Sequence, residues 1–156
     1  GLDWGFVNDP SVLVFIYLLE DKLYIDEKFY QYGMTNRDIH NKFIELGITR
    51  QVEIFADSSE PKSVDELHRF GWNVKSAQKG RDSINMGIDL LKRHKLHITS
   101  KSINTLKEFK NYKWQEDKNG TLLNVPIQKN DHSIDSTRYA VIKKLTRPRV
   151  ARYAIR

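Results

Sequence analysis

The 156-residue sequence contains no cysteine, which excludes disulfide bonds, thiolate zinc sites and a cysteine nucleophile. Its longest apolar run, Val12–Leu19, is far shorter than the roughly 20 residues that a membrane-spanning helix requires. No secretory signal, internal repeat, low-complexity segment or linker is visible. The length is sufficient for a single domain with a substantial core, and nothing in the sequence indicates a membrane partner.

The charge is moderately positive, with 26 lysines and arginines against 20 aspartates and glutamates, a net charge of +6 and a pI of about 9.4. This excess is compatible with a polyanionic partner, but many basic proteins bind nothing acidic, so charge alone leaves nucleic acid binding open. Among the five histidines only His94 and His97 have a ligand-like spacing, and they lie across a helix-to-strand transition. A zinc hydrolase is therefore disfavoured.

Hydrophobic patterning predicts that the chain opens with three consecutive antiparallel strands. Leu2–Phe6 is the first, the near-continuous apolar run Ser11–Glu20 suits a buried second strand, and Lys22–Gly33 follows as its hairpin partner. Helices and strands then alternate as far as a last helix, which starts near Asp131 and runs to about Leu145. This order predicts an α/β fold in which a mixed central sheet, antiparallel first and then parallel, carries helices on both faces.

Short polar patterns predict where several of these elements begin or turn. Thr35 followed by Asp38, and Ser63 followed by Glu66, have the spacing of a capping box at a helix N-terminus. An Asn-Gly pair between two segments that can associate predicts an accessory β-hairpin near residues 112–125.

Three aspartates stand at the borders of apolar elements. Asp3 lies inside the first strand, on the face opposite to Leu2 and Trp4. Asp57 ends an apolar strand, where ligand-binding groups often gather, and Asp135 lies on the last helix beside its apolar stripe. Each has an ordinary alternative: an edge-strand acid facing solvent, a turn cap, and a salt bridge to a lysine or arginine, respectively.

The last helix also carries a histidine and a second acid near its start. At roughly 100° per residue, His132, Asp135 and Tyr139 fall within about 60° of one another on the helix surface. Asp131 is suitably placed to cap the helix N-terminus or to stabilise it by its charge, whereas Asp135 lies beyond the cap and needs a cation if it is partly buried. The expected buried stripe consists of Ile134, Thr137, Val141 and Leu145.

A divalent metal centre would account for the three acids together. Mg²⁺ and Mn²⁺ prefer carboxylate oxygen and water, and they bind phosphate groups. Two such ions about 4 Å apart can stabilise both the attacking and the leaving oxygen in phosphodiester hydrolysis.

Five segments that contain these residues cover nearly the whole chain: GLDWGFVNDP, FADSSEPKSVDEL, KGRDSINMGIDLLKRHKLHIT, NYKWQEDKNGTLLNVPI and HSIDSTRYA. In these segments and in their order, the sequence resembles the C-terminal nuclease domain of the large terminase subunit of tailed bacteriophages. The resemblance implies one ribonuclease H-like domain over residues 1–156, with a mixed five-stranded central sheet, that cuts double-stranded DNA with Mg²⁺ or Mn²⁺.

The resemblance also implies roles for individual residues. Asp3, Asp57 and Asp135 match the family's metal-binding acids. His132 matches a histidine that could ligate metal, contact the scissile phosphate or assist proton transfer, with a surface histidine as the alternative. Asp9 stands where some relatives have a further acid, although here it could simply belong to a turn.

The resemblance places the domain in a larger protein. An ATPase domain would precede it and drive DNA into the procapsid, with the small terminase subunit and the portal as partners. The nuclease would cut concatemeric DNA in the host cytoplasm, at the procapsid, to start and end packaging. The hairpin near residues 112–125 would lie beside the catalytic cleft and restrict access, or would be an ordinary extension of the sheet.

Clustered cations indicate possible DNA contacts. Lys75, Lys79 and Arg81 precede a predicted helix N-terminus, where backbone N–H groups also attract phosphate; a solvated surface is the alternative. The basic C-terminal tail could contact DNA or a partner. Cutting without sequence preference is expected, because no base-reading element stands out.

Two other functions fit the same residues. One is a different ribonuclease H-like DNA nuclease, of the junction resolvase or transposase type, which would use similar acids on other DNA. The other is a non-catalytic DNA-binding or assembly module in which the acids form only salt bridges.

Overall fold

A computed structural model describes residues 1–80 and 82–146. The described part of the chain forms eight strands and five helices. The strands are β1 (Leu2–Asp3), β2 (Ser11–Leu19), β3 (Lys22–Gln31), β4 (Ile54–Ala56), β5 (Val74–Ser76), β6 (Lys95–Ile98), β7 (Trp114–Glu116) and β8 (Leu122–Pro126). The helices are α1 (Asn36–Glu45), α2 (Pro61–Arg69), α3 (Ser83–Lys92), α4 (Ile103–Asn111) and α5 (His132–Leu145).

The central sheet has the strand order β5-β4-β1-β2-β3-β6. β1, β2 and β3 are antiparallel neighbours. The other three strands pair in parallel: β4 with β1, β5 with β4, and β6 with β3. The predicted mixed sheet, antiparallel first and then parallel, is therefore confirmed. It has one strand more than the resemblance implies, because β6 pairs along the first half of β3, from Lys22 to Ile25.

Helices cover both faces of the sheet, as predicted. α1 and α2 pack on one face through a core that contains the fully buried Phe43 and Leu67. α3, α4 and α5 cover the other face, where Leu23 of β3 meets Leu91 of α3 and Val141 of α5. Burial of each large apolar side chain contributes about 1.5–3 kcal/mol, so both layers stabilise the sheet.

The first strand is shorter than predicted because the backbone of Gly5, just beyond its end, forms hydrogen bonds with the Ser11 side chain. Ser11 Oγ accepts a hydrogen bond from Gly5 N (3.2 Å) and donates one to Gly5 O (2.8 Å), which removes Gly5 from the sheet ladder. A side chain on Gly5 would collide with the carbonyl oxygens of Asp9 and Pro10. This tight turn holds Asp3 at the very end of β1.

One of the two predicted capping boxes forms. Asp38 N donates to Thr35 Oγ1 (3.2 Å) and Thr35 N donates to Asp38 Oδ2 (2.9 Å) at the start of α1. The second prediction is wrong: α2 begins at Pro61, a residue type that suits the first helical position. Ser63 and Glu66 instead accept hydrogen bonds from Asn36 Nδ2, at 3.1 and 2.7 Å, and connect α2 to α1.

The predicted accessory hairpin is confirmed. β7 and β8 form a separate two-stranded antiparallel sheet, so the hairpin does not extend the central sheet. Its loop closes around Asp117, whose Oδ1 accepts from the backbone of Asn119 and Thr121 at 2.8 Å each, and Gly120 has a positive φ of 78°.

Every helix within residues 1–80 and 82–146 is too short or too polar to span a bilayer.

Candidate metal centre

The last helix brings two of the three aspartates together. α5 lies across β1, β2 and β4, so its first turns face the end of β1. His132 Nδ1 lies 3.0 Å from Asp3 Oδ2. The Tyr139 hydroxyl lies 3.4 Å from Asp3 Oδ1 and 3.4 Å from Asp135 Oδ2, so the two carboxylates flank one hydroxyl group.

Asp57 lies on the neighbouring strand end. β4 is parallel to β1, with Ala56 opposite Leu2, and Asp57 N donates to Leu2 O (3.1 Å). The carboxyl ends of two adjacent parallel strands thus place Asp57 beside Asp3. Its charge and those of Asp3 and Asp135 all act on the Tyr139 hydroxyl: burial first, and then these three acids, raise the pKa of Tyr139.

Each of the three acids also has a basic partner. Asp57 Oδ1 accepts from Ser59 N (2.8 Å) and forms an ion pair with Lys79. Asp135 pairs with Arg138, whose side chain is only 4% exposed. Within residues 1–80 and 82–146, no three His, Cys, Asp or Glu side chains are close enough, as placed, to hold a metal ion. The salt-bridge alternative therefore fits the observed partners of Asp57 and Asp135.

The pKa shifts show where a further cation would be most favourable. The pKa of Asp3 is raised to about 6, chiefly by burial and to a lesser extent by the charges of Asp135 and Asp57, while His132 acts in the opposite direction. Burial also favours the neutral form of Asp57, but hydrogen bonds from Lys79 and Ser59 outweigh it and hold that pKa below its usual value. Asp3 is thus the acid whose charge is least compensated. The carboxylate oxygens of Asp3 and Asp135, which flank the Tyr139 hydroxyl, are of the type that a hard divalent ion such as Mg²⁺ or Mn²⁺ prefers.

His132 is part of this cluster rather than a surface histidine. Its side chain is 18% exposed, and Nε2 lies 3.5 Å from Asp9 Oδ1 on the side away from Asp3. The hydrogen bond to Asp3 outweighs the opposing effect of burial and raises the pKa of His132. The Asp9 carboxylate is 65% exposed, so the turn that carries it brings a further acid to the edge of the cluster.

The predicted cap at the start of α5 is wrong. Asp131 is the N-cap residue but makes no side-chain capping bond. Glu108 of α4 supplies the capping hydrogen bonds instead, since its Oε2 accepts from Ser133 N (2.7 Å) and Ile134 N (3.4 Å). Asp131 then lines a cavity of about 390 Å³ together with Lys79, Asp135, Arg138 and Tyr139. The pKa of Asp131 is raised by burial and by the nearby Asp135.

Sequence reasoning missed Arg138 and Glu108. Arg138 lies three residues after Asp135, and this spacing puts two helical side chains within reach, so the ion pair was readable from the sequence. Glu108 had no such signal, because its partners are 25 and 26 residues away on another helix.

The predicted DNA-contacting cations are engaged in ion pairs where the structure describes them. Lys75 lies 2.5 Å from Glu53, which also pairs with Lys144. Lys79 belongs to the acid cluster through Asp57. Arg81 and tail residues 147–156 lie outside the described residues.

A mixed sheet of this order, with acids at two neighbouring strand ends and on the helix that crosses them, defines a nuclease domain of the ribonuclease H-like class. The structure matches that of the nuclease domain of the large terminase from bacteriophage SPP1 with bound Mn, with a TM-score of 0.82 and 30% sequence identity over 92% of this chain and 84% of that one. The chain belongs to the family of terminase ribonuclease H-like domains, whose model matches residues 3–143.

Two terminase large subunits are similar in sequence. That of Bacillus phage SPP1 is 32% identical over 148 residues, which is 90% of this chain and 34% of the relative. The PBSX phage terminase large subunit of Bacillus subtilis strain 168 is 28% identical over 144 residues, 90% of this chain and 33% of the relative. The chain thus spans about a third of the length of these relatives.

Proposed function

We propose that this domain is a metal-dependent endonuclease that cuts concatemeric double-stranded DNA during bacteriophage genome packaging. The observation that carries the proposal is that Asp3 and Asp135 flank one buried tyrosine hydroxyl, with Asp57 at the neighbouring strand end, in a terminase nuclease fold. A purely structural site would not need three carboxylates whose mutual repulsion helps to keep the pKa of Asp3 raised.

In this proposal Asp3, Asp57 and Asp135 hold two Mg²⁺ or Mn²⁺ ions. Bound ions of this kind supply an activated water and neutralise charge on the leaving oxygen. The Mn bound in the SPP1 nuclease domain supports the use of a divalent ion.

The remaining residues of the cluster then have distinct tasks. Lys79, whose side chain is 46% exposed, leaves Asp57 and becomes available to a DNA phosphate. Arg138 is buried and stays in place as the partner that orients Asp135. His132, held by Asp3 and protonated over a wider pH range because its pKa is raised, can donate from Nε2 to a phosphate oxygen or to the leaving group.

The wider context is also part of the proposal. Because the chain spans only about a third of its relatives, the complete protein has room for an upstream ATPase domain. Double-stranded DNA, the small terminase subunit and the portal are the proposed partners, in the host cytoplasm at the procapsid. Lys75, Lys79 and Arg81 are the proposed DNA contacts, and the β7–β8 hairpin, followed by the cavity-lining Gln128, is proposed to limit access to the cleft.

The test compares Asp57→Asn with the wild-type domain and with Asp65→Asn, a control that removes an exposed acid paired with Arg69. Nicking of supercoiled plasmid is measured in Mn²⁺, in Mg²⁺ and in EDTA, and the Mn²⁺-induced shift in melting temperature is recorded separately. We expect Asp57→Asn to lose more activity than the roughly 10- to 100-fold typical of a residue that only supports a ligand, while Asp65→Asn cuts normally.

Three outcomes would contradict parts of the proposal. Near-native cutting by Asp57→Asn would remove Asp57 from the ligand set. No cutting and no Mn²⁺-dependent shift in the wild-type domain would favour the non-catalytic DNA-binding module, with which the ion pairs of Asp57 and Asp135 agree. Faster cutting of four-way junctions than of linear duplex would favour the resolvase type.

A further inference from the structure

We propose that Glu108 is a positioning residue, which holds the first turn of α5 so that His132 meets Asp3. Its meaning for catalysis rests on the proposed nuclease function, whereas the geometry that it controls can be measured without any activity.

Glu108 satisfies the N-terminus of α5 from outside that helix. It is only 4% exposed, and its Oε2 accepts from Ser133 N (2.7 Å) and Ile134 N (3.4 Å). Its other oxygen, Oε1, accepts from the Tyr30 hydroxyl (2.9 Å). A carboxylate at a helix N-terminus is stabilised by the helix dipole, and its hydrogen bonds are charge-assisted, so the placement is electrostatically favourable.

A local cap would have been simpler than a buried carboxylate. Asp131 stands at the N-cap position, where an aspartate commonly bonds the first backbone N–H groups, yet its side chain does not do so. Burying Glu108 is unfavourable by itself, as the raised pKa that burial causes at this residue shows. The consequence of using Glu108 is that α5 is tied to α4 and β3 instead of to the loop that precedes it.

The support continues from α4 into the sheet. Glu27 of β3 accepts from Thr105 N (2.7 Å) and Thr105 Oγ1 (2.8 Å) at the start of α4, and its own backbone N–H donates to Ser102 Oγ (2.8 Å). Glu27 of β3 and the first residues of α4 thus exchange hydrogen bonds that cap α4. These bonds fix α4, and therefore Glu108, relative to the same sheet that carries Asp3.

His132 lies at the end of this series of contacts. It directly precedes Ser133, whose N–H is bonded to Glu108, and its ring packs edge-to-face against Tyr30 with centroids 6.4 Å apart. Tyr30 and Glu108 are themselves hydrogen-bonded. The backbone and the ring of His132 are therefore both held in place while Nδ1 meets Asp3 Oδ2 at 3.0 Å.

The experiment uses the 156-residue chain with Glu108→Ala, Glu108→Asp and Glu108→Gln. The control is Leu67→Ala, which removes a fully buried side chain on the opposite face of the sheet. The ¹⁵N resonances of the His132 ring are recorded without metal, with Asp3→Asn as the reference for a lost hydrogen bond. Mn²⁺-dependent nicking is measured in parallel.

We expect Glu108→Ala to move the His132 Nδ1 resonance toward its value in Asp3→Asn. Glu108→Asp, which is one methylene shorter, should move it in the same direction, so the test stands even if the alanine variant does not fold. Glu108→Gln keeps a carbonyl acceptor and should stay close to wild type. Nicking should fall roughly 10- to 100-fold in Glu108→Ala, as for other supporting residues, and less in Glu108→Gln.

An unchanged His132 resonance in Glu108→Asp, and in Glu108→Ala where that variant folds, would overturn the proposal, and so would an equal change in Leu67→Ala. Either result would make Glu108 a stabilising residue only. If the wild-type domain shows no nicking at all, the proposed function fails, but the His132 resonances still decide whether Glu108 positions this residue.

Discussion

The two faces of the central sheet differ in the kind of side chain that they bury. Under α1 and α2 the packing is dominated by apolar side chains, with Phe43 and Leu67 fully buried. Under α5 the protein also buries Asp3, Glu108 and Arg138, each of which requires specific partners. The first face therefore supplies stability through packing, whereas the second gives up some stability to hold charged groups in place.

The largest effect on stability is expected from a cavity on the apolar face. Phe43→Ala should lower the free energy of unfolding by about 3–5 kcal/mol, because the fully buried ring leaves a void between α1 and the sheet. Urea unfolding measures the loss. Nicking per folded molecule should stay near wild type, and a large fall in nicking would show that the two faces are coupled.

On the charged face, a substitution is expected to raise the free energy of unfolding instead of lowering it. Asp3 has a pKa of about 6 in the folded protein against an ordinary value of 3.8, so as pH rises between these values the unfolded state ionises first and stability falls. Asp3→Asn removes this loss and should raise the free energy of unfolding by about 2–3 kcal/mol above pH 6.

Urea unfolding in EDTA at pH 3.5 and pH 7.5 tests this sign. The gain from Asp3→Asn should be present at pH 7.5 and nearly absent at pH 3.5, where Asp3 is protonated in the folded state and mostly protonated in the unfolded state. An equal gain in the free energy of unfolding at both pH values would show that Asp3→Asn acts through packing and not through the Asp3 charge.

A smaller effect is expected where α3 meets α5. A methyl group on Gly87 would lie 2.9 Å from Arg138 Cδ, and Arg138 is buried against Asp135. Gly87→Ala should therefore destabilise the domain by about 1–3 kcal/mol through overpacking, reduced by up to about 1 kcal/mol of improved helix propensity.

Thermal unfolding of Gly87→Ala alongside Gly80→Ala measures this effect. The added methyl group at Gly80 meets nothing within 4 Å, so that variant should be close to neutral. Equal melting temperatures for the two variants would show that Arg138 can move freely and does not hold Asp135.

Local patterns predicted the fold wherever neighbouring residues decide the structure. The capping box of Thr35 and Asp38 forms because its hydrogen bonds span three residues. The equivalent prediction at Ser63 is wrong because α2 begins earlier, at Pro61, and Ser63 instead accepts a hydrogen bond from Asn36, 27 residues away on α1. The two-residue β1 is likewise shorter than its apolar pattern because Ser11 binds Gly5.

The candidate site was predictable in its acids and, from helical spacing, in the Arg138 partner of Asp135, but not in its other partners. Asp3, Asp57 and Asp135 stood out because each interrupts an apolar element at its end. Their metal-binding role stays a prediction. No pattern in the sequence indicates that Lys79 pairs with Asp57, or that Glu108 replaces Asp131 as the cap of α5.

By itself the sequence determined the order of strands and helices, the apolar faces that must be covered and the positions of the acids along the chain. Those properties depend on backbone periodicity and on hydrogen bonds between near neighbours. Only the tertiary structure decided that His132 would meet Asp3 across 129 residues and that a buried glutamate would hold the start of α5. A charged group in a folded protein takes its pKa and its partners from what surrounds it in space, and most of those surroundings come from distant parts of the chain.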